Sequence, residues 1–118
     1  MIMTVKEFYE VIGGDYNKVM EILKRDEMVV VFANMFLEDT GFQELDAAMK
    51  EKDYEMAFKA AHKFKGVCQN MAFDRMAQVI EEITEALRGG LDIAKAEQLF
   101  PELEEIYLLT VSSISSMN

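Results

Sequence analysis

The sequence predicts an all-α protein, an antiparallel up-down four-helix bundle with short helices at its N-terminus. Glycine (six) and proline (one) are scarce among the 118 residues, whereas good helix formers such as methionine (ten) are plentiful. Apolar residues recur every three to four positions between short polar turns, which is the spacing of amphipathic helices. At this length, with 51% hydrophobic and 29% charged residues, we expect residues 1–118 to form a single domain around one core.

Two short helices are expected in residues 1–25. Thr4 and Glu7 stand three residues apart before an apolar run, which is the capping-box pattern of a helix start. Gly13 ends this helix, and Asp15 can cap a second one. Because neither helix is long enough to be stable alone, we expect both to pack across one end of the bundle.

The bundle itself is predicted over residues 26–115. Asp26 caps a first long helix that runs to residue 49, because the helical spacing of apolar residues continues past Gly41. This glycine is expected to kink the helix without ending it. Asp53 begins the second long helix after a polar turn. Its predicted inward face consists of Tyr54, Ala57, Phe58, Ala61, Phe64, Cys68 and Met71.

The second half of the bundle is predicted from its caps and its proline. A third long helix is expected after Asp74 and ends at Gly89, the first of two consecutive glycines. Asp92 caps the last segment, in which Pro101 cannot donate the backbone hydrogen bond of a helix interior. We therefore expect a short helix, a break or kink, and a further helix that starts at the proline. The tail 112–118 is expected to fray.

The composition argues against several functional classes. A net charge of −10 would repel nucleic acid before any specific contact formed. The single cysteine, Cys68, rules out an intramolecular disulfide, and together with one histidine it cannot complete a zinc shell. We therefore expect no metal or other cofactor. The sequence has neither a signal-peptide pattern nor an apolar run of membrane-spanning length, so we expect a cytoplasmic protein that does not bind membranes.

The only histidine, His62, lies in the one basic part of this acidic chain. Between residues 57 and 75 there are four basic residues and one acidic residue, which favours an anion-binding site, although ordinary scatter of surface lysines explains the charge equally well. On a helical wheel His62 lies about 130° from the centre of the apolar face, so we expect it outside the core. Gln69 falls on the same side of the helix.

Gly66 and two lysines suggest that His62 is a nucleophile. Glycine in a helix interior costs about 1 kcal/mol relative to alanine, and a side chain at this position would lean over the imidazole. Lys59 and Lys65 lie one turn from His62 on either side, where ammonium groups would stabilise an added phosphoryl group and favour the neutral, nucleophilic ring. Lys63 points about 100° away, so we expect a solvated side chain. Its charge would add to the electrostatic field at His62 more than it would contact the phosphoryl group.

The residues around His62 resemble the signature of histidine-containing phosphotransfer (HPt) domains, which act in two-component phosphorelay signalling. The signature is His-x-(aliphatic or aromatic)-Lys-Gly, and in this chain the segment reads Ala61-His62-Lys63-Phe64-Lys65-Gly66. The likeness extends over residues 15–115, although only the histidine motif is specific. It implies a four-helix bundle whose exposed histidine accepts a phosphoryl group from an aspartate of one receiver domain and passes it to another.

The resemblance also implies roles for individual residues. The lysine that matches Lys65 supports the phosphoryl group, and the glycine that matches Gly66 clears space for it. This chain departs from the family at Ala72, where glycine is usual, and at Val67, where a small residue is usual. We expect altered packing at the helix end from the first departure. Val67 is expected to form an apolar docking patch together with Met71. Neither Ala72 nor Val67 removes a group that phosphotransfer needs.

The partners implied by the resemblance are response-regulator receiver domains and, as a further candidate, a hybrid sensor histidine kinase. The receiver domain is expected to supply Mg²⁺. We expect a monomeric phosphocarrier without autokinase activity, because an ATP-binding fold does not fit beside the bundle in 118 residues. Two alternatives are a non-catalytic helical adaptor that binds receivers without phosphotransfer, and a histidine-kinase dimerisation domain. The adaptor would not need an open imidazole, and the dimerisation domain would pair two copies of the chain.

Overall fold

The structure is a computed structural model that describes residues 2–118, and these residues form only helices and turns. The helices are α1 (Val5–Ile12), α2 (Tyr16–Leu23), α3 (Asp26–Phe36), α4 (Gly41–Lys50), α5 (Tyr54–Asn70), α6 (Asp74–Leu87) and α7 (Ile93–Ser115), with a 3-10 turn at Arg88–Gly90. The all-α prediction is confirmed. Within residues 2–118, no helix combines the length and the apolar content needed to cross a membrane.

Short polar side chains begin most of these helices. In α1 the Thr4 hydroxyl accepts from the Glu7 N–H at 3.1 Å and the Glu7 carboxylate accepts from the Thr4 N–H at 2.9 Å, so the predicted capping box is confirmed. Asp15, Asp53 and Asp92 likewise cap α2, α5 and α7. The predicted cap at Asp26 is wrong, because this residue is the first of α3 and makes no side-chain cap bond.

The predicted first long helix is also wrong, since it is two helices separated by a turn. α3 ends at Phe36, residues 37–40 form the turn, and α4 begins at Gly41. A Cβ atom on Gly41 would lie only 2.6 Å from Cδ1 of Phe64 on α5. The Gly41 N–H donates to Oδ1 of Asp39 at 2.7 Å, which fixes the turn. The glycine therefore serves the close approach of Phe64, and the chain changes direction there.

The predicted break at Pro101 is wrong. α7 continues without interruption from Ile93 to Ser115 and has Pro101 inside it. The side chain of Pro101 is exposed, while Leu103 and Ile106, which follow it in α7, are buried in the core. Burial of that apolar face holds the helix together although one backbone hydrogen bond is missing.

The predicted frayed tail is wrong as well. The N–H of Met3 donates to the Ser116 carbonyl at 2.7 Å, and Met117 is buried. The side chains of Asn118 and Asn34 exchange hydrogen bonds of 3.0 and 3.2 Å. The last residues therefore close against both α3 and the segment before α1.

The four C-terminal helices pack on one another in chain order, α4 against α5, α5 against α6 and α6 against α7. Phe42 of α4 stacks on Tyr107 of α7, with ring centroids 4.1 Å apart and planes 9° apart, so the first and last of these helices are also in contact. The aromatic contacts of the core then continue through Phe36, Phe64, Phe73, Phe8 and Tyr9.

The C-terminal end of α5 is a Schellman motif. The N–H of Phe73 donates to the Cys68 carbonyl and the N–H of Ala72 donates to the Gln69 carbonyl, both at 3.0 Å. Ala72 has a φ of +56°, in the left-handed region that favours glycine. This backbone conformation explains why a glycine would be usual at position 72, and alanine keeps it with a small Cβ.

The N-terminal segment braces this same turn. The buried hydroxyl of Tyr9 on α1 donates to the Met71 carbonyl at 2.8 Å. The N–H of Asp15 donates to the Ala72 carbonyl at 2.9 Å, and the N–H of Arg75 donates to the Gly13 carbonyl at 3.1 Å. Burial raises the pKa of the Tyr9 hydroxyl, so it stays protonated and able to donate. α1 therefore fixes the end of the helix that carries His62.

Candidate functional site

His62 lies on the outer side of α5. Its side chain is exposed, while the preceding residue, Ala61, is fully buried and marks the side of the helix that faces the core. α5 is long, with Asp53 capping its start and the Schellman motif closing its end, so the histidine sits near the middle of a well-anchored helix. An imidazole in this position is accessible to a partner protein.

Gly66 leaves open space one turn after His62. A Cβ atom at this position would have no heavy atom within 4 Å, so close packing between helices does not explain the glycine. Gly41 is the contrasting case, because a Cβ there would collide with Phe64. The surface of α5 therefore stays flat beside the imidazole, at a cost in helix stability of about 1 kcal/mol relative to alanine.

The three lysines around His62 differ in their surroundings. Lys65, one turn after the histidine, is half-buried. Nζ of Lys59 lies 3.8 Å from Oε1 of Glu55, and because both side chains are exposed this ion pair is weak. Lys63 is exposed, and within residues 2–118 neither it nor Lys65 has a carboxylate within 4.0 Å. Two ammonium groups near His62 are thus free to meet an anion.

An aromatic ring adjoins His62 on its N-terminal side, and an ion pair adjoins that ring. The half-buried ring of Phe58 lies nearly parallel to the imidazole, with centroids 6.1 Å apart and planes 16° apart. Cζ of Arg88 lies 4.9 Å from the centroid of the Phe58 ring. Nε and Nη2 of Arg88 donate to the two carboxylate oxygens of Glu85 at 3.1 and 3.0 Å.

Glu85 brings a negative charge from α6 to the edge of this site. Hydrogen bonds from Arg88 hold the pKa of the Glu85 carboxyl below its ordinary value. The nearby positive charge of Lys65 acts in the same direction. The carboxylate therefore stays ionised and anchors the guanidinium at neutral pH.

An apolar groove of about 270 Å³ lies between α3 and α5, on the C-terminal side of His62. Its walls are formed by Phe32, Met35, Phe36, Asp39, Val67, Asn70 and Met71, so one carboxylate stands among mainly apolar side chains. Met35 is 57% exposed, whereas Val67 is half-buried and Met71 is buried. Gln69 is exposed on α5. The apolar surface beside the histidine is thus supplied mainly by α3, and Met71 forms part of the core wall under it.

The family of the chain follows from a comparison with protein-family models. The Hpt domain model matches residues 27–110, which is more than half of the chain. The chain belongs to the Hpt domain family. This Hpt domain therefore has a phosphotransfer role in two-component signalling. No curated protein and no solved structure gives a significant match to the chain. Helices α1 and α2 precede the matched residues of the Hpt domain.

Three residues around this site are not predicted from the sequence. The apolar character of Phe58 predicts the inward face of α5, while Arg88 and Glu85, which adjoin Phe58 and each other, belong to the far end of α6 and the turn after it. The available signal was the turn at 71–73: Phe58 and Arg88 lie at similar distances from it on the two helices that it joins. Folding α6 back against α5 brings these positions together, but the spacing alone does not give the direction of their side chains.

Cys68 is not a second nucleophile of this Hpt domain. The thiol is fully buried on α5, and burial raises its pKa well above the ordinary value of a cysteine. Across residues 2–118, no three His, Cys, Asp or Glu side chains are grouped as a metal site would require. The candidate nucleophile is therefore the imidazole of His62.

Proposed function

We propose that His62 accepts a phosphoryl group from an aspartate of one receiver domain and passes it to an aspartate of another. The observation that carries this proposal is the open space at Gly66 beside the exposed imidazole. A phosphoryl donor held in a cleft of another protein can reach the ring only where the helix surface is flat. This chain has that flat surface next to its one histidine.

We place the site on an antiparallel four-helix bundle formed by α4 to α7, within a single domain of residues 1–118 that includes the short N-terminal helices. Three residues separate α4 from α5, and three separate α5 from α6. Connections this short favour antiparallel neighbours. The contacts between successive helices and the stacking of Phe42 on Tyr107 support a closed bundle.

The proposed transfer is a nucleophilic displacement at phosphorus. A ring nitrogen of neutral His62 attacks the aspartyl phosphate in line, a nitrogen–phosphorus bond forms, and the bond between phosphorus and the aspartate oxygen breaks. The electron pair of that bond stays on the aspartate as a carboxylate. The other ring nitrogen then releases its proton to water. Transfer to the second receiver runs through the same steps in reverse.

Lys65 is the cation best placed to stabilise the phosphoryl group. It is half-buried and lies one turn after His62, where its ammonium group has no close carboxylate among residues 2–118. Lys59 would first have to leave its weak pair with Glu55. Lys63 and Gln69 are exposed, so they would contact the rim of a bound partner. Magnesium is supplied by the receiver domain in this proposal.

The groove between α3 and α5 is the proposed docking site for an apolar helix face of the receiver. Val67 lies five residues after His62, which is about 7.5 Å along the helix axis. A partner seated in the groove would therefore hold its aspartate within reach of the imidazole. The interface would be small and transient, with the apolar groove at its centre and the lysines at its rim.

The proposed setting is a monomer in the cytoplasm. A hybrid sensor histidine kinase that carries its own receiver domain is a candidate donor as well as a free response regulator. In both cases the chain itself needs no nucleotide, because the phosphoryl group arrives already activated on an aspartate.

The deciding experiment compares the wild type with His62→Gln. Each protein is mixed with a receiver domain that carries acid-labile labelled phosphate, and the label is followed on both proteins. We expect label on the wild type and none on His62→Gln, because glutamine fills similar space without a nucleophilic nitrogen. If the wild type binds the receiver but never takes up label, the chain acts as a non-catalytic adaptor instead.

The docking site is tested by placing a charge in the groove. We expect Met35→Glu to weaken receiver binding about tenfold or more, because a carboxylate would be buried in an apolar contact. Met56→Glu is the matched control, since Met56 is 52% exposed and does not line the groove. Binding is measured by fluorescence titration with the receiver domain. Equal losses in both variants would contradict docking in this groove.

A further inference from the structure

The imidazole of His62 has unlike surroundings on its two sides along α5. On the C-terminal side Gly66 leaves open space. On the N-terminal side the ring of Phe58 lies 6.1 Å away at an angle of 16°, which is within the usual range of about 4.5–7 Å for offset aromatic pairs. One side of the histidine is therefore accessible, while the other is occupied by a second ring.

We propose that Phe58 is a positioning residue that holds the His62 ring in the orientation needed for phosphotransfer, and that Arg88 holds Phe58 in place. This inference rests on the proposed function of His62. Phe58 lies outside the His-x-x-Lys-Gly motif, and its apolar side chain by itself predicts only core packing.

The need for such a residue follows from the exposure of His62. An exposed side chain samples several rotamers, and each rotamer points the reacting nitrogen in a different direction. In-line attack requires the nitrogen to face the donor within narrow limits of distance and angle. A ring stacked one turn earlier on the same helix restricts rotation about the side-chain bonds and leaves the nitrogens clear. Phe58 is in that position.

Arg88 is held at two points, which makes it an effective support for Phe58. Its guanidinium lies over the phenyl ring with Cζ 4.9 Å from the centroid, a distance that permits a cation–π interaction. Both side chains are about half exposed, but Glu85 accepts from both Nε and Nη2, and this two-point geometry restrains the planar group more than a single contact would. Gly89 and Gly90 follow with φ of +60° and +70°, and this turn ends α6 beside the start of α5.

The competing explanation is that Phe58 merely covers part of the core. Its ring is half-buried and packs against the buried cluster, so some of its role is ordinary packing. Packing of that kind needs apolar volume but does not need a planar ring. The two explanations therefore separate when the ring is removed and the volume is kept.

The experiment compares Phe58→Leu, which keeps apolar volume, with Phe58→Tyr, which keeps the ring. Single-turnover transfer from a phosphorylated receiver should slow about 10- to 100-fold in Phe58→Leu and stay near the wild-type rate in Phe58→Tyr. Receiver affinity, measured by titration, should be unchanged in both variants. Arg88→Gln should slow transfer in the same direction by a smaller factor, because Phe58 loses its support.

A second readout follows the imidazole of the unphosphorylated protein by proton NMR. The His62 ring protons should show a ring-current shift in the wild type and in Phe58→Tyr, and should lose it in Phe58→Leu. This measurement does not depend on phosphotransfer. A wild type that shows the shift but never accepts phosphate would refute the proposed function, while the stacking geometry would stand.

Three results would overturn the inference. The first is a transfer rate in Phe58→Leu equal to that of the wild type. The second is an equal loss of rate in Phe58→Leu and Phe58→Tyr, which would indicate a packing role. The third is an imidazole signal that is the same with and without the Phe58 ring. Circular dichroism and urea unfolding of each variant establish that it is folded before its rate is compared.

Discussion

Two glycines of this chain have opposite surroundings, and the difference shows what each one is for. A Cβ at Gly41 would meet Phe64 at 2.6 Å, whereas a Cβ at Gly66 would meet nothing within 4 Å. The first glycine is therefore required by packing inside the fold. The second has no internal reason, which leaves access to His62 as its explanation.

Replacing each glycine by alanine should give opposite changes in stability. Gly66→Ala should raise the free energy of unfolding by about 1 kcal/mol, because alanine is the better helix former and finds open space. Gly41→Ala should lower it by about 1–3 kcal/mol, because the added methyl overlaps Phe64. Urea unfolding measures both changes.

Gly66→Ala should also slow phosphotransfer, since its methyl group would occupy part of the open space one turn after His62 through which a donor approaches. A variant that is more stable and slower than the wild type is thus the expected outcome. An unchanged transfer rate would mean that Gly66 does not clear the approach to His62.

Lys52 allows a test of backbone strain without any effect on the site. It follows the C-cap of α4 with φ of +60°, and the N–H groups of Lys52 and Asp53 close a Schellman motif on Met49 and Ala48. Lys52→Gly should raise the free energy of unfolding by about 1 kcal/mol, because glycine adopts this conformation without a Cβ clash. Lys52→Ala is the control and should show no such gain. A gain of equal size in both variants would point to the lost charge instead.

Among the helices, four of the five predicted caps are confirmed and only the one at Asp26 is wrong, whereas the interruptions were not predictable. Thr4, Asp15, Asp53 and Asp92 each cap a helix where the sequence predicted it, because a cap depends on a few adjacent residues. The turn before Gly41 combines a local hydrogen bond from the Gly41 N–H to Asp39 with the close approach of Phe64, which is distant in the sequence. The continuity of α7 depends on the burial of its apolar face.

Pro101 should weaken α7 although it does not break it. Pro101→Ala restores a backbone N–H that can donate to the Glu97 carbonyl. Alanine also makes the unfolded chain more flexible, which offsets part of this gain. The free energy of unfolding should therefore rise by a net amount of about 1–2 kcal/mol. Urea unfolding is again the measurement. Glu102→Ala, at the next and equally exposed position of α7, is the control and should change little. A less stable Pro101→Ala would contradict this account.

At the scale of the whole molecule, the core extends beyond the residues that match the Hpt domain model. Phe8 and Tyr9 of α1 are fully buried and join the aromatic cluster at Phe73. The matched residues begin at 27. α1 is thus part of the same folding unit, and it also supplies the hydrogen bond that holds the end of α5.

Removal of residues 2–14 should therefore abolish cooperative unfolding. Four side chains of α1 are buried, Val5, Phe8, Tyr9 and Ile12. Each contributes about 1.5–3 kcal/mol, and their sum is comparable to the entire stability of a small domain. Near-ultraviolet circular dichroism during thermal unfolding would show the loss.

Tyr9→Phe is the matched control for this truncation. It keeps the ring and removes only the hydrogen bond to the Met71 carbonyl, so it should cost about 1–3 kcal/mol and leave the transition cooperative. A truncated chain that unfolds at the wild-type temperature would show that α1 is dispensable.

The histidine motif could be found in the sequence because its parts lie within one turn of each other. His62, Lys65 and Gly66 need only the periodicity of one helix to be placed together. Phe58 lies one turn before His62 on the same helix, but its apolar side chain predicts a place in the core. Arg88 and Glu85 come from another helix, so their place depends on how α6 packs against α5. The groove beside Met35 likewise depends on where α3 ends.

The buried thiol of Cys68 has a practical consequence. With its sulfur sealed in the core and its pKa raised, the native cysteine should react slowly with maleimide reagents while the protein is folded. A new cysteine at an exposed position on α7, such as Glu102→Cys, should then take a fluorescent dye selectively. The wild-type background is thus suited to single-site labelling, and energy transfer to a labelled receiver could follow docking in real time.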